Sequence, residues 1–90
     1  MLEQYEATLE QWMGSVVNHG DDDALFACGY LQGHVAVVFS QLEAEGDASL
    51  PVLDSKIADC MELAKTELED GDFRLVESAW SDLRKHIEAL

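Results

Sequence analysis

Apolar residues recur at intervals of three and four along nearly the whole chain, in four runs separated by short clusters of glycine and acidic residues. In the first run Leu2, Tyr5, Leu9, Trp12, Met13, Val16 and Val17 fall on one side of a helix, with Glu3, Glu6 and Glu10 on the other. Asn18-His19-Gly20 closes it, and Gly20 is expected to take the left-handed conformation of a helix end. Asp21-Asp22-Asp23 then supplies an N-cap and first-turn negative charge for a second helix that runs to about Glu45, where Gly46-Asp47 breaks it. Ser49 caps a third helix with Pro51 in its first turn. Its stripe is Leu50, Leu53, Ile57, Cys60, Met61, Ala64 and Leu68. Glu69-Asp70-Gly71-Asp72 reads as its stop, and a fourth helix follows from Asp72 or Phe73 with Phe73, Val76, Trp80, Leu83, Ile87 and Leu90 inward. No stretch alternates with period two, so strands are not expected.

Four helical segments on short links predict an all-α fold, a compact antiparallel helical bundle of four helices spanning residues 1–90 as a single domain. A three-helix core with one helix lying across it is the rival. Ninety residues that are 48% hydrophobic suffice for one core and leave little room for a buried cleft.

Charge narrows the function classes. Nineteen acidic residues against five basic give a formal net charge of -14. That charge repels nucleic-acid phosphates and anionic membranes, so neither is expected as a partner. No apolar run reaches the roughly 20 residues needed to span a bilayer, so a membrane span is not expected. The start Met1-Leu2-Glu3-Gln4-Tyr5-Glu6 lacks the basic segment of a secretory leader, and a cytoplasmic protein is the expectation. Cys28 and Cys60 sit on apolar faces of different helices, offset by roughly 10 Å along a hairpin, so two core thiols are expected rather than a disulfide.

The second helix departs from the pattern of the others. At 100° per residue Cys28, Leu31, Val35, Val38, Phe39 and Leu42 fill one broad apolar arc, while Gly29, Gly33, Ala36 and Ser40 fill a narrow arc of small residues elsewhere. Each glycine costs about 1 kcal/mol relative to alanine inside a helix, which implies a close contact in return. Three occupants fit the small arc: another helix of the bundle with its Trp12 or Trp80, a second copy of the chain, or a foreign segment. The first is the expectation, and the oligomeric state is left open between monomer and homodimer.

Chemistry is scarce. No Glu-x-x-His occurs, so a di-metal bundle core is not expected, and Asp21-Asp22-Asp23 lacks the alternating ligands of a calcium loop. Asp82 and His86, four apart, read as a surface ion pair. No serine or cysteine sits in a nucleophile context. His34, one turn after Tyr30, is the one candidate for acid-base work. No catalytic residue, metal ligand or cofactor is assigned.

The run Asp22-Asp23-Ala24-Leu25-Phe26-Ala27-Cys28-Gly29-Tyr30-Leu31-Gln32-Gly33-His34 resembles the YfcL-like family of small bacterial proteins. The Leu-Phe-Ala-x-Gly-Tyr-Leu-x-Gly-His pattern carries the resemblance, together with an acidic first helix and a last helix with a central tryptophan, here Trp80. Cys28 stands where a small residue such as serine is expected. The resemblance implies a compact all-helical bacterial protein and carries over no catalytic residue.

The functional expectation is a non-enzymatic protein–protein interaction module. It presents a negative surface and the Gly29, Tyr30, Gly33 and His34 region to a protein partner, one whose basic charge would speed encounter. Mimicry of nucleic-acid charge is a related form of this reading. The alternative from another class is a small-ligand or metal binder, or a cryptic enzyme, using Tyr30 and His34 at a bundle pocket.

Overall fold

A computed structural model describes residues 2–90; Met1, the first residue of the N-terminal segment read above, lies outside the described residues. The chain forms four α-helices: α1 (Leu2–His19), α2 (Asp22–Glu45), α3 (Leu50–Glu67) and α4 (Asp70–Glu88), with no strand among the described residues. Successive helices reverse direction. Tyr5 at the start of α1 donates its hydroxyl to the Ala48 carbonyl just beyond α2 at 2.7 Å, and Lys56 near the start of α3 pairs with Glu45 at the end of α2 at 2.6 Å. The cross-section is a rhombus rather than a square. α2 and α4 run along the short diagonal and pack against every other helix, while α1 and α3 make no close backbone approach to each other.

The inward stripes read from the sequence largely form the core. Val35, Leu42, Leu53 and Leu83 are wholly shielded from solvent, and Leu31, Val38, Ile57, Val76 and Ile87 nearly so. Tyr5 and Phe39 rings meet at 5.8 Å between centroids, linking α1 to α2. Three assigned stripe residues lie outside this core: Phe73, half-buried with Lys65 Nζ 5.7 Å from its ring centroid, Val17 and Leu90. Val17 is 64% exposed, lying past the edge of the face that α1 turns inward while Val16 takes the inner position; Leu90 lies beyond the end of α4 and is exposed.

The caps differ from expectation in instructive ways. Asp21 is the N-cap of α2, its Oδ1 accepting from the Ala24 amide at 2.9 Å. Gly20, by contrast, does not adopt the left-handed conformation; Gly46 alone among the described residues has positive φ, at 71°. Gly20 is needed for close approach instead, since a Cβ there would lie 2.6 Å from the Val16 carbonyl oxygen. Ser49 occupies the N-cap position of α3 but makes no side-chain cap; its own amide donates to Asp47 Oδ1 at 3.1 Å. The anticipated stop at residues 69–72 is shorter than expected. Only Leu68 and Glu69 separate α3 from α4, and Asp70 and Asp72 sit in the first turn of α4, where the helix dipole favours carboxylates, with Gly71 between them.

By length and composition α2 is apolar enough to cross a bilayer, with a mean hydropathy of 1.3 over its best window. Counting contiguous apolar residues misses this because scattered Gly, Ser, Gln and His interrupt the run without lowering the average far. Its larger apolar face is buried against the other three helices.

Candidate functional site: the solvent face of α2

The small arc of α2 points to solvent. A Cβ built on Gly29 or Gly33 would meet no atom within 4 Å, so the expected packing of another bundle helix, with Trp12 or Trp80, against these glycines does not occur. The rhombic arrangement explains the difference. α2 lies on the short diagonal and buries one side against α1, α3 and α4, which leaves the opposite side with no neighbour. Trp12 instead turns into the α1–α4 contact, where its indole Nε1 donates to Asp82 Oδ2 at 2.9 Å.

On that open side the glycines alternate with apolar residues that the sequence reading left unassigned. Phe26 is 41% exposed and Val37 57% exposed, and the series Phe26, Gly29, Gly33, Val37, Ser40 advances by three or four residues along one line of the helix. Their missed signal is a gap in the charge pattern. From Ala24 through Leu42 the chain has no Asp, Glu, Lys or Arg, although 27% of all its residues are charged. One buried face cannot use so long an uncharged stretch, so part of it must face outward.

Tyr30 and His34 border this line on the α3 side. Their rings lie 4.7 Å apart between centroids, and the Tyr30 hydroxyl donates to Glu67 Oε2 at 3.4 Å. Phe26 extends the aromatic row, its ring 6.4 Å from Tyr30. Burial, with the Glu67 carboxylate beside it, raises the Tyr30 phenol above its ordinary value, which keeps it protonated and unsuited to act as a base near neutral pH. The space enclosed by Tyr30, His34, Cys60, Met61 and Ala64 amounts to about 10 Å³, room for at most one water, against the several hundred Å³ of a small-molecule site.

Both thiols are free, and burial raises each above its ordinary value, with Asp59 adding to the effect at Cys60. Neither has the lowered pKa of a reactive cysteine. No group of three or more His, Cys, Asp or Glu side chains among the described residues is arranged to hold a metal ion. His86 Nε2 lies 4.0 Å from Asp82 Oδ2, the surface pair anticipated from their spacing.

Carboxylates rim the uncharged line. Asp22 and Asp23 stand exposed at its N-terminal end and Glu43 and Glu45 at its C-terminal end. Glu3 and Glu6 of α1 share an open groove with Glu43, and Glu67 lies on the α3 side beside Tyr30. Thus an apolar strip lies within an acidic border, Tyr30 and His34 on one edge and Gly29 and Gly33 as a notch along its middle.

Comparison with known proteins places the chain. The family model described as YfcL protein matches residues 3–85. The chain belongs to the YfcL family. A curated relative, "Uncharacterized protein YfcL" of Escherichia coli (strain K12), is 32% identical over 85 residues, covering 92% of this chain and 92% of its own length. No solved structure matches. The family match therefore extends over nearly the whole chain, and the segment from Asp22 to His34 lies within it and carries both the notch and the aromatic row.

Proposed function

We propose that this protein is a non-enzymatic interaction module whose working surface is the solvent face of α2, including Gly29, Tyr30, Gly33 and His34, presented to a protein partner. The observation that supports this reading most is the uncharged strip itself. Burying an apolar residue is favourable by about 25 cal/mol per Å², and a chain this acidic has many ways to make an outer helix face charged. Phe26 and Val37 remain exposed there with two glycines between them, in a helix that would gain from alanine or glutamate at either glycine.

The alternative of a ligand or metal binder centred on Tyr30 and His34 is weakened by the near absence of space beside them. A His34→Ala variant that folds normally yet loses a bound small molecule found on the wild type would revive it. The interaction reading takes a cytoplasmic setting, which free rather than paired thiols suit.

Site-specific photo-crosslinking tests the reading. With the crosslinker at position 29 or 33 a discrete protein adduct is expected in cells, and with it at Ser81 on the outside of α4 none. Excess unlabelled wild-type protein should abolish the adduct, whereas Gly33→Glu protein should not. Equal adducts from all three positions, or none from 29 and 33, defeat the assignment.

A further inference from the structure

Resting on the α2 docking surface just proposed, the charge pattern around the strip selects its occupant. We infer that the face binds an amphipathic helix whose apolar stripe is flanked on both sides by Lys or Arg.

A second copy of this chain fits the shape of the strip but not its charge. In an antiparallel pair centred on Gly33, residue 33+n faces residue 33−n, which sets Val37 against Gly29 and Ser40 against Phe26, large against small in each case. The same register sets Glu43 against Asp23 and Glu45 against Asp21 at both ends. A parallel pair sets Asp22 and Asp23 beside their own copies. Either way two molecules of charge -14 meet through their carboxylates, and like charges in contact are unfavourable.

A helix with basic flanks reverses every one of those terms. Its Lys or Arg side chains reach Asp22 and Asp23 at one end, Glu43 with Glu3 and Glu6 along the α1 side, and Glu67 on the α3 side, while its apolar stripe covers Phe26 and Val37. The bare backbone at Gly29 and Gly33 lets medium-sized apolar side chains of the guest seat between those two residues. From Phe26 to Ser40 the strip is about 21 Å long at 1.5 Å per residue, matched by about four turns of guest helix. Lys56, a cation at the C-terminal end, is already paired with Glu45 and opposes the guest little.

The test uses two labelled synthetic helices of about 18 residues, one with a leucine stripe and lysine flanks, the other with the same stripe and glutamate flanks. Their binding is followed by fluorescence anisotropy at about 0.1 M salt, where charges more than a Debye length of roughly 10 Å apart are screened. The lysine peptide should bind and the glutamate peptide should not. Gly33→Gln, which fills the notch without altering charge, should weaken the lysine peptide about tenfold, and Glu77→Gln on the exposed side of α4 should leave it within about twofold. Gly33→Gln is expected to fold, since no atom lies within 4 Å of its Cβ position, and a thermal melt verifies this. Unchanged affinity in Gly33→Gln would reduce the binding to diffuse charge and overturn the inference. So would a dimer of the free protein in sedimentation that Gly33→Gln dissolves, which would make a second copy the occupant. If the crosslinked partner of the preceding test contacts position 33 through a segment that is neither helical nor basic, the docking surface stands and this inference falls.

Discussion

The Trp12 indole reaches across the bundle to donate a hydrogen bond to Asp82, 70 positions away in the chain, at 2.9 Å. The helical spacing of Asp82 and His86 shows only their local pairing, yet the stronger partner of Asp82 is the tryptophan of α1. Trp12 is 6% exposed, so its N–H has few other acceptors. Asp82→Ala should therefore destabilise the fold by about 1 kcal/mol, the net worth of a hydrogen bond to a charged acceptor at a part-exposed site. Urea unfolding followed by tryptophan fluorescence measures it. In a Trp12→Phe background the same Asp82 change should cost much less, and equal costs in both backgrounds would show that the bond contributes nothing.

The glycines divide by what surrounds them. Gly29 and Gly33 have open space where a Cβ would go, so Gly29→Ala and Gly33→Ala should each stabilise the protein by up to about 1 kcal/mol through helix propensity alone. Gly20→Ala should do the reverse, because its methyl would lie 2.6 Å from the Val16 oxygen and 3.0 Å from Ala24 Cβ. Gly46→Ala should also lose about 1 kcal/mol, having to hold φ at 71°. Thermal melts of the four variants give the signs directly, and a destabilised Gly33→Ala would mean that the notch is packed in the free protein.

The helices and most of the core were legible because periodicity and punctuation are local signals. Leu53, Ile57 and Ala64 on α3, or Val76, Leu83 and Ile87 on α4, fall inward wherever their helix is placed against a neighbour. The lateral arrangement was not legible. Whether Gly29 and Gly33 face a helix or water depends on which diagonal of the bundle α2 occupies, and the wheel of a single helix does not contain that information. The relation of Phe26 and Val37 to the glycines lay in the chain as a missing charge from Ala24 to Leu42, legible only once the core-facing residues had been subtracted.

Arg84 joins α4 to α3 through a two-pronged contact, Nε to Asp54 Oδ1 at 2.8 Å and Nη2 to Asp54 Oδ2 at 3.0 Å, with Glu88 3.4 Å from Nη1. The Asp54 carboxylate holds the guanidinium even further above its ordinary value. Its side chain is more shielded than that of Asp54, so Asp54→Ala leaves a part-buried cation poorly matched. A loss of about 1 kcal/mol is expected, discounted from a buried pair because Asp54 is 45% exposed. Arg84→Lys should recover little of the contact, since an ammonium cannot span both carboxylate oxygens. Denaturant midpoints for the two variants check this, and a fully stable Arg84→Lys would reduce the pair to a simple point-charge attraction.

Alkaline pH should loosen the bundle through its buried acids. Cys28 and Cys60 have thiols raised by burial, and Tyr30 has a phenol raised by burial and by Glu67. Each of these groups is neutral when protonated, and the folded state holds its proton more tightly than the unfolded chain does. Their contribution is therefore fully present below the unfolded values, ordinarily near 9.0 for the thiols and 10.0 for the phenol, and is lost as pH rises through the higher folded values. Melting temperature should hold level from about pH 7 to 8 and fall progressively above that range. Replacing Cys28 and Cys60 together by alanine should lower stability at pH 7 by removing core volume, yet flatten the alkaline decline. If the double variant falls as steeply as the wild type between pH 8 and 10, the thiols do not drive the loss, and Tyr30→Phe becomes the variant that separates the phenol from general repulsion among the carboxylates.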